Sequence, residues 1–459
     1  MIAMKKLAIA IVLGAIVLGS CNKLTEFGPT NDSVVLAENA LETPEDLQAL
    51  LNSCYDVMAN AYDGRTQNLG ELISDNLDNP KNNLDFQTVY ARNTSTITSA
   101  TGGVYREFYY AIYRANAMIQ NFDLITGLTE AERKRTEAEA RFLRGVGHWE
   151  EVKLFAHPYG YSADNSHDGV VLRLEAGQDP LLRSTVGEVY DSVIEDLNHA
   201  YNNLPEDNGV YATKYSAAGY LAKVFFLMNN YTSAKLYSER AMEGNFVLDT
   251  LLARYSPDVL SSEGIFSTIS FSQDSRVENL SGNYRSDNTN EPQLTIHPTA
   301  WSQMFTDGQD LRDSTYYEFR PESNKYVVKK FDNQSFNQDI VSLSEIMLIH
   351  AESCAELGED LATAISEVNA VRSRAYGNDI FNLNESAFAE QIIAAAQLER
   401  RKEFIGEGKW IDDLYRRAVK GEDISIRGGS WDCPGMALQI PLGENTVLGF
   451  QFNEEGGCN

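Results

Sequence analysis

The chain has 459 residues, 43% of them hydrophobic, and a formal net charge of −28 at pH 7. A field of that sign repels nucleic-acid phosphates and anionic headgroups, which argues against a nucleic-acid-binding role and suits a soluble body standing off a membrane. Five cysteines, Cys21, Cys54, Cys354, Cys433 and Cys458, are too scattered for a metal ligand set and too few for a disulfide framework.

The amino terminus reads as an export signal. Lys5 and Lys6 form a short basic region, Leu7 to Leu18 is almost unbroken apolar sequence, and Gly19 and Ser20 lead to Cys21. Roughly 12 apolar residues fall short of the about 20 needed to span a bilayer. Leu18-Gly19-Ser20-Cys21 resembles a bacterial lipobox, so Cys21 is expected to carry a diacylglycerol on its thiol and a further acyl chain on its freed amine. More than one chain anchors stably. The expected organisation is a signal peptide over 1–20, a lipidated tether over 21–40 and one body over 41–459. Loss of Lys5 and Lys6 takes the charge from −28 to −30.

Helix signals then follow in order. Thr43 is placed to cap, Pro44 suits the first helical position, and Leu47, Leu50, Leu51, Cys54, Val57 and Met58 fall at helical spacing. A broad apolar face runs over 104–123. Thr129 with Glu132, and Thr185 with Glu188, are spaced as capping boxes ahead of helices over 129–160 and 188–205, the second stopped by Pro205. Two helical hairpins follow, 212–230 with 231–243 and 342–360 with 361–375, and a final helical pair covers 386–419. In the first hairpin Leu221, Ala222, Phe225, Ala234 and Ala241 fit the small and large positions of a tetratricopeptide pattern. Ala351, Ala355, Ala364 and Val368 repeat it more loosely. No strict period survives, so the expected fold is mainly α, with tetratricopeptide-like hairpins and large irregular loop insertions. The insertions are 63–103 and 250–340, and 325–331 reads as a strand. Loops of this length are usually functional or carry small elements of their own. Whether Cys433 and Cys458 pair stays open.

Glu399, Glu403 and Glu407, at i, i+4 and i+8, are the strongest catalytic pattern, since paired carboxylates serve glycoside hydrolysis. Arg400, Arg401 and Lys402 are interleaved, and Gly408 breaks the helix, so the segment reads as scaffold with ion pairs. His148, His157, His167, His199, His297 and His350 include no pair three to five apart, so no helical zinc site is expected. The Asp-rich loops show no converging set for Ca²⁺. No Gly-x-Ser-x-Gly elbow or phosphate loop occurs, and no cofactor is expected.

Taken in order, these segments resemble the SusD/RagB family of outer-membrane lipoproteins of Bacteroidota. The carrying pieces are Tyr109, Ile112 and Asn116; Glu139, Ala140, Arg141, Phe142, Leu143 and Arg144; the 183–205 block; the late hairpin; and Glu399, Arg400, Glu403, Glu407, Gly408, Trp410, Asp413 and Leu414. The closing segment departs from the pattern, with Phe452 between Gln451 and Asn453. The resemblance implies a surface lipoprotein without catalytic chemistry. Such a protein captures an oligomeric nutrient, most often a glycan, and delivers it to a SusC-like TonB-dependent transporter in the outer membrane. The alternatives are the same scaffold binding peptide or another oligomer, and a lipid-anchored protein-interaction scaffold.

A sugar ring presents an apolar C–H face that suits an aromatic ring, and its hydroxyls need fixed polar partners. Core aromatics are packed away. The candidate ligand residues are therefore Tyr90, Arg92 and Asn93 in the first insertion, and Tyr284, Arg285 and Trp301 in the second. The resemblance supports the two regions without fixing positions.

Overall fold

The computed structural model describes residues 41–458 except 178, 258, 288–290 and 445–446. The signal peptide, the tether and Cys21 lie outside the described residues.

The helices begin where the caps predict. Helix α1 (Pro44–Ala61) is opened by a reciprocal box between Thr43 and Asp46, and it buries Leu47, Leu51, Cys54, Val57 and Met58. Helices α2 (Arg65–Ile73) and α3 (Leu84–Tyr90) lie inside the first insertion, and α4 (Ser99–Asn121) follows. Helices α5 (Glu130–Phe155) and α6 (Val186–Asn203) start at the Thr129/Glu132 and Thr185/Glu188 boxes. Each box satisfies backbone N–H groups that the first helical turn leaves unpaired.

Helices α7 (Lys214–Leu227) and α8 (Tyr231–Met242) form the first hairpin, and Ala222 and Ala234 are fully buried. Small side chains there let the helix backbones approach. Helices α12 (Leu343–Leu357) and α13 (Leu361–Tyr376) form the second. In space α1, α4, α5, α6, α7, α8 and α12 pack successively, with α13 and α14 (Ala389–Glu403) closing the row on α12. The two hairpins are thus neighbours although the second insertion separates them in sequence. A mixed core runs through most of the body, and a smaller one, with Leu348, Ala351, Ala355, Ala364 and Val368, lies under the second hairpin.

The second insertion has elements of its own. Strand β1 (Gly264–Thr268) pairs antiparallel with β4 (Gln338–Ser342), and β2 (Tyr317–Arg320) with β3 (Lys325–Val328). Between them lie the short helices α9 (Glu278–Tyr284), α10 (Pro298–Met304) and α11 (Arg312–Thr315). After α15 (Trp410–Val419), a tight hairpin joins β5 (Ser425–Ile426) to β6 (Gly429–Ser430). Cys433 and Cys458 are disulfide-bonded, and Cys54 and Cys354 are buried free thiols.

Candidate ligand cleft

The two insertions meet. Leu77 and Ile296 form an antiparallel bridge, and Ile296 also bridges Tyr326 of β3. The His297 N–H donates to Asn76 O at 2.8 Å, and Asp78 N–H to Thr295 O at 2.8 Å. This zipper sets the start of α10 against the segment after α2. Beside it opens a cleft of about 320 Å³ lined by Asp75, Tyr90, His297, Thr299, Ala300, Gln303 and Arg427.

Each lining group is held by its neighbours. His297 caps α10, its Nδ1 accepting the Thr299 N–H at 3.1 Å, which leaves the proton of a neutral ring on Nε2. Arg401 organises the floor: Nη2 reaches Asp75 at 3.1 Å, Nε reaches Asn76 Oδ1 at 2.9 Å, and Nη1 reaches Gln303 Oε1 at 2.9 Å. Trp410 Nε1 also donates to Asp75, at 2.7 Å. The Gln303 carbonyl is therefore occupied and its NH₂ is left for another partner.

Arg427, in the β5–β6 turn at φ 48°, donates to Leu72 O, Ser74 O and Tyr90 O, and its guanidinium lies 3.9 Å from the Tyr90 ring centroid. Burial pulls its pKa down to about 10, so it stays a cation at neutral pH. The arginines of the cleft are thus engaged internally, and Asp75 through its Oδ1 alone. What it presents is the second Asp75 carboxylate oxygen with a set of neutral hydrogen-bonding groups beside an aromatic ring.

Behind α10 four rings stack in series. Phe319 lies on Tyr326 at 4.8 Å, Tyr326 on Trp301 at 4.4 Å and 16°, and Trp301 on Phe305 at 4.5 Å. Phe319 at the outer end is 43% exposed.

The predicted residues divide accordingly. Tyr90 lines the cleft. Trp301 sits in the helix that walls it, stacked on Tyr326 and close to the tilted Phe305 ring. It is half-buried in this aromatic cluster and does not line the cleft. The expectation for Arg92 is corrected: it is 5% exposed, and donates to Ile426 O at 2.7 Å and Cys458 O at 3.2 Å, tying the tail to the end of α3. Tyr284 is fully buried against Phe331, so it is a core residue at the inward-turned end of α9. Space there depends on Gly406, where a Cβ would come within 2.7 Å of the Phe331 ring. Arg285 is half-buried and paired with Asp287 at 2.5 Å, and Asn93 is exposed; neither lines the cleft.

Sequence reasoning missed Asp75, His297, Gln303, Arg401 and Arg427. His297 before Pro298 carried a cap signature, and Arg427-Gly428-Gly429 the mark of a tight turn. The others carried no local signal.

Glu399, Glu403 and Glu407 are buried structural groups. Arg312 reaches Asp310 at 2.7 Å, Glu399 at 2.5 Å and Glu403 at 3.2 Å, while Lys330 holds Glu407 at 2.7 Å. Helix α14 ends at Glu403, and Glu407 returns to the cluster from the following turn. Burial pushes the Glu403 and Glu407 carboxyls up, but Arg374, Arg312 and Lys330 outweigh it and hold both below the usual range. Among the described residues no group of three or more His, Cys, Asp or Glu side chains could hold a metal ion, and no helix is long and apolar enough to cross a membrane.

The same architecture occurs in proteins of known structure. A SusD superfamily protein from Bacteroides vulgatus superposes with a TM-score of 0.78 at 21% identity, over 90% of this chain and 100% of that one. Surface glycan-binding protein A from Bacteroides uniformis gives 0.71 at 20%, over 90% and 99%. At these identities the likeness shows the fold. SusD-like protein P2 of Formosa agariphila is 26% identical over 93% of each chain. A family model described as starch-binding and associating with the outer membrane matches residues 31–226, and the SusD family model matches 190–429, more than half of the chain. The helical row, the placement of its insertions and this match agree: the chain belongs to the SusD family.

Proposed function

We propose that this protein is a surface lipoprotein of the outer membrane that binds an oligosaccharide in the Tyr90–His297–Gln303–Arg427 cleft and hands it to a SusC-like TonB-dependent transporter. The observation that carries the reading is the cleft itself. Its arginines are engaged within the protein, while Tyr90, the His297 ring, Thr299, the Gln303 amide and the second oxygen of Asp75 offer the mixture of ring and hydrogen-bonding groups that a sugar uses. The description of the matching family as starch-binding, and the glycan-binding relative from Bacteroides uniformis, support a carbohydrate over other oligomers. Cys21 supplies the anchor, 21–40 the tether and 41–459 the binding body. The protein acts by binding, without a chemical step.

A glycan array read beside a peptide panel tests the ligand class. Binding to one glycan family, lost in His297→Ala with Gln303→Ala, is expected; selective peptide binding overturns the carbohydrate reading. Affinity-tagged protein taken from native membranes in mild detergent should bring down a large TonB-dependent barrel, and recovery without one removes the delivery role. Labelled palmitate should enter the wild type and not Cys21→Ala.

A further inference from the structure

We infer that the free edge of strand β1 lines a docking groove for an extended segment of a partner protein, apolar along its middle and basic at both ends. This surface is distinct from the ligand cleft, and the inference does not depend on what the cleft binds.

Two cavities, of about 470 and 440 Å³, share Val210, Tyr211, Leu260, Phe266, Ser267 and Ile269 and so form one continuous groove. Every residue from Gly264 to Ile269 lines one cavity or the other. A strand face would contribute alternate residues, so consecutive lining means that the strand turns its edge to the groove. Among the described residues β1 is paired with a strand on one side only, with β4; on the other, the Ile265 carbonyl accepts the Ser216 hydroxyl at 2.8 Å and the Gly264 N–H donates to Ser261 O, so what remains for a partner is the Phe266–Ile269 stretch. An unpaired strand edge is a template for another strand, and recognition by strand addition takes affinity from the main chain and specificity from alternate side chains.

The opposite wall is built for persistence. Tyr211, in the loop between α6 and α7, packs on Tyr55 of α1 at 5.1 Å, and its hydroxyl donates to Asn52 Oδ1 at 2.8 Å. Along the groove Val210, Leu260 and Phe271 are 47%, 55% and 62% exposed. Isolated apolar side chains on a surface need no explanation, whereas several along one groove mark a contact site.

The charges set the polarity of the occupant. At one end Glu206 and Asp207 face a single cation, Lys214, which holds Glu206 at 2.5 Å. At the other, Arg276 spans Asp56 and Asp274. Each end therefore has two carboxylates for one cation, and the apolar stretch lies between. A segment with a basic residue at each end and β-branched residues at alternate positions between them matches edge, wall and ends together.

The test uses the full chain purified in mild detergent and a fluorescent heptapeptide, Lys-Val-Thr-Val-Thr-Val-Lys, read by anisotropy. Saturable binding is expected. It should weaken about tenfold or more when the terminal residues become Glu, and similarly when alternate peptide amides are N-methylated, since that removes the strand's donors alone. Leu260→Asp and, independently, Val210→Asp should abolish it with the far-UV spectrum unchanged, both positions being half exposed. Absence of binding by the lysine peptide overturns the inference. So does equal binding of the N-methylated form, which would leave a mere apolar patch, and so does retention in both aspartate variants that remain folded.

Discussion

The Arg312 cluster and the ligand cleft are both assembled from arginines and acids, and they end in opposite states. In the cluster, carboxylates of Asp310, Glu399 and Glu403 converge on one guanidinium with no exposed surface. In the cleft, Arg401 and Arg427 spend their N–H groups on Asp75, Asn76, Gln303 and backbone carbonyls, and uncharged groups with one oxygen of Asp75 remain at the surface. The charge therefore serves to hold shape in both places. A pattern of acids in a sequence does not distinguish a reactive site from a strut; the partners do.

That contrast is breakable, and the largest effect is expected of Tyr284→Ala. A fully buried aromatic should cost about 4 kcal/mol, with ligand affinity unchanged in whatever fraction stays folded. Weakened binding at full stability would return Tyr284 to the site. Arg312 comes next. Replacing it with Met leaves three buried carboxylates one cation short, with Lys402, Arg372 and Arg374 still holding them, and should cost about 3 kcal/mol, at the lower end of what loss of one partner of a buried pair produces. Urea unfolding measures it; a loss under about 1 kcal/mol would show that the cluster is not a strut.

Glu71 sharpens the comparison through pH. It is fully buried, and accepts from Gly406 N at 3.0 Å, Gly408 N at 3.1 Å and Asn76 Nδ2 at 3.2 Å. Burial nevertheless raises its pKa to about 7 from 4.5. Between those values the folded state keeps a proton that the unfolded chain has released, so stability falls as pH rises through the window and is constant outside it. Glu71→Gln should therefore gain on the wild type by about 3 kcal/mol between pH 4.5 and 7, seen as diverging melting temperatures. Parallel curves would place the carboxyl in contact with solvent.

The smallest effect belongs to the cleft. Gln303→Ala should weaken binding of the array-identified glycan about five- to tenfold, the worth of roughly one hydrogen bond, with only a small drop in melting temperature, since it also removes the acceptor of Arg401 Nη1. Calorimetry at unchanged affinity would move the ligand off α10.

Legibility followed the range of the interactions. Helix α1 could be read because Thr43, Pro44 and its apolar face lie within one short stretch, and the α7–α8 hairpin because Ala222 and Ala234 mark a close approach. Helix α2 was hidden because Thr66, Gln67, Asn68 and Glu71 are buried polar residues whose partners lie elsewhere. Seeking aromatics in loops selected Tyr90, which lines the cleft, together with Tyr284 and Trp301, which do not, since a loop address carries no information on which way a ring turns. Arg427 was beyond reach: its acceptors, Leu72, Ser74 and Tyr90, are more than 300 residues away.

The tail's attachment means that the cleft joins segments far apart in the chain. Arg92 binds the carbonyls of Ile426 and Cys458, Arg427 binds those beside α2 and α3, and the Cys433–Cys458 bond closes the segment that follows the hairpin. One wall of the cleft is thus drawn from residues made early in synthesis and the other from residues made late. The cleft is therefore complete only once the 425–430 hairpin has docked against the ends of α2 and α3.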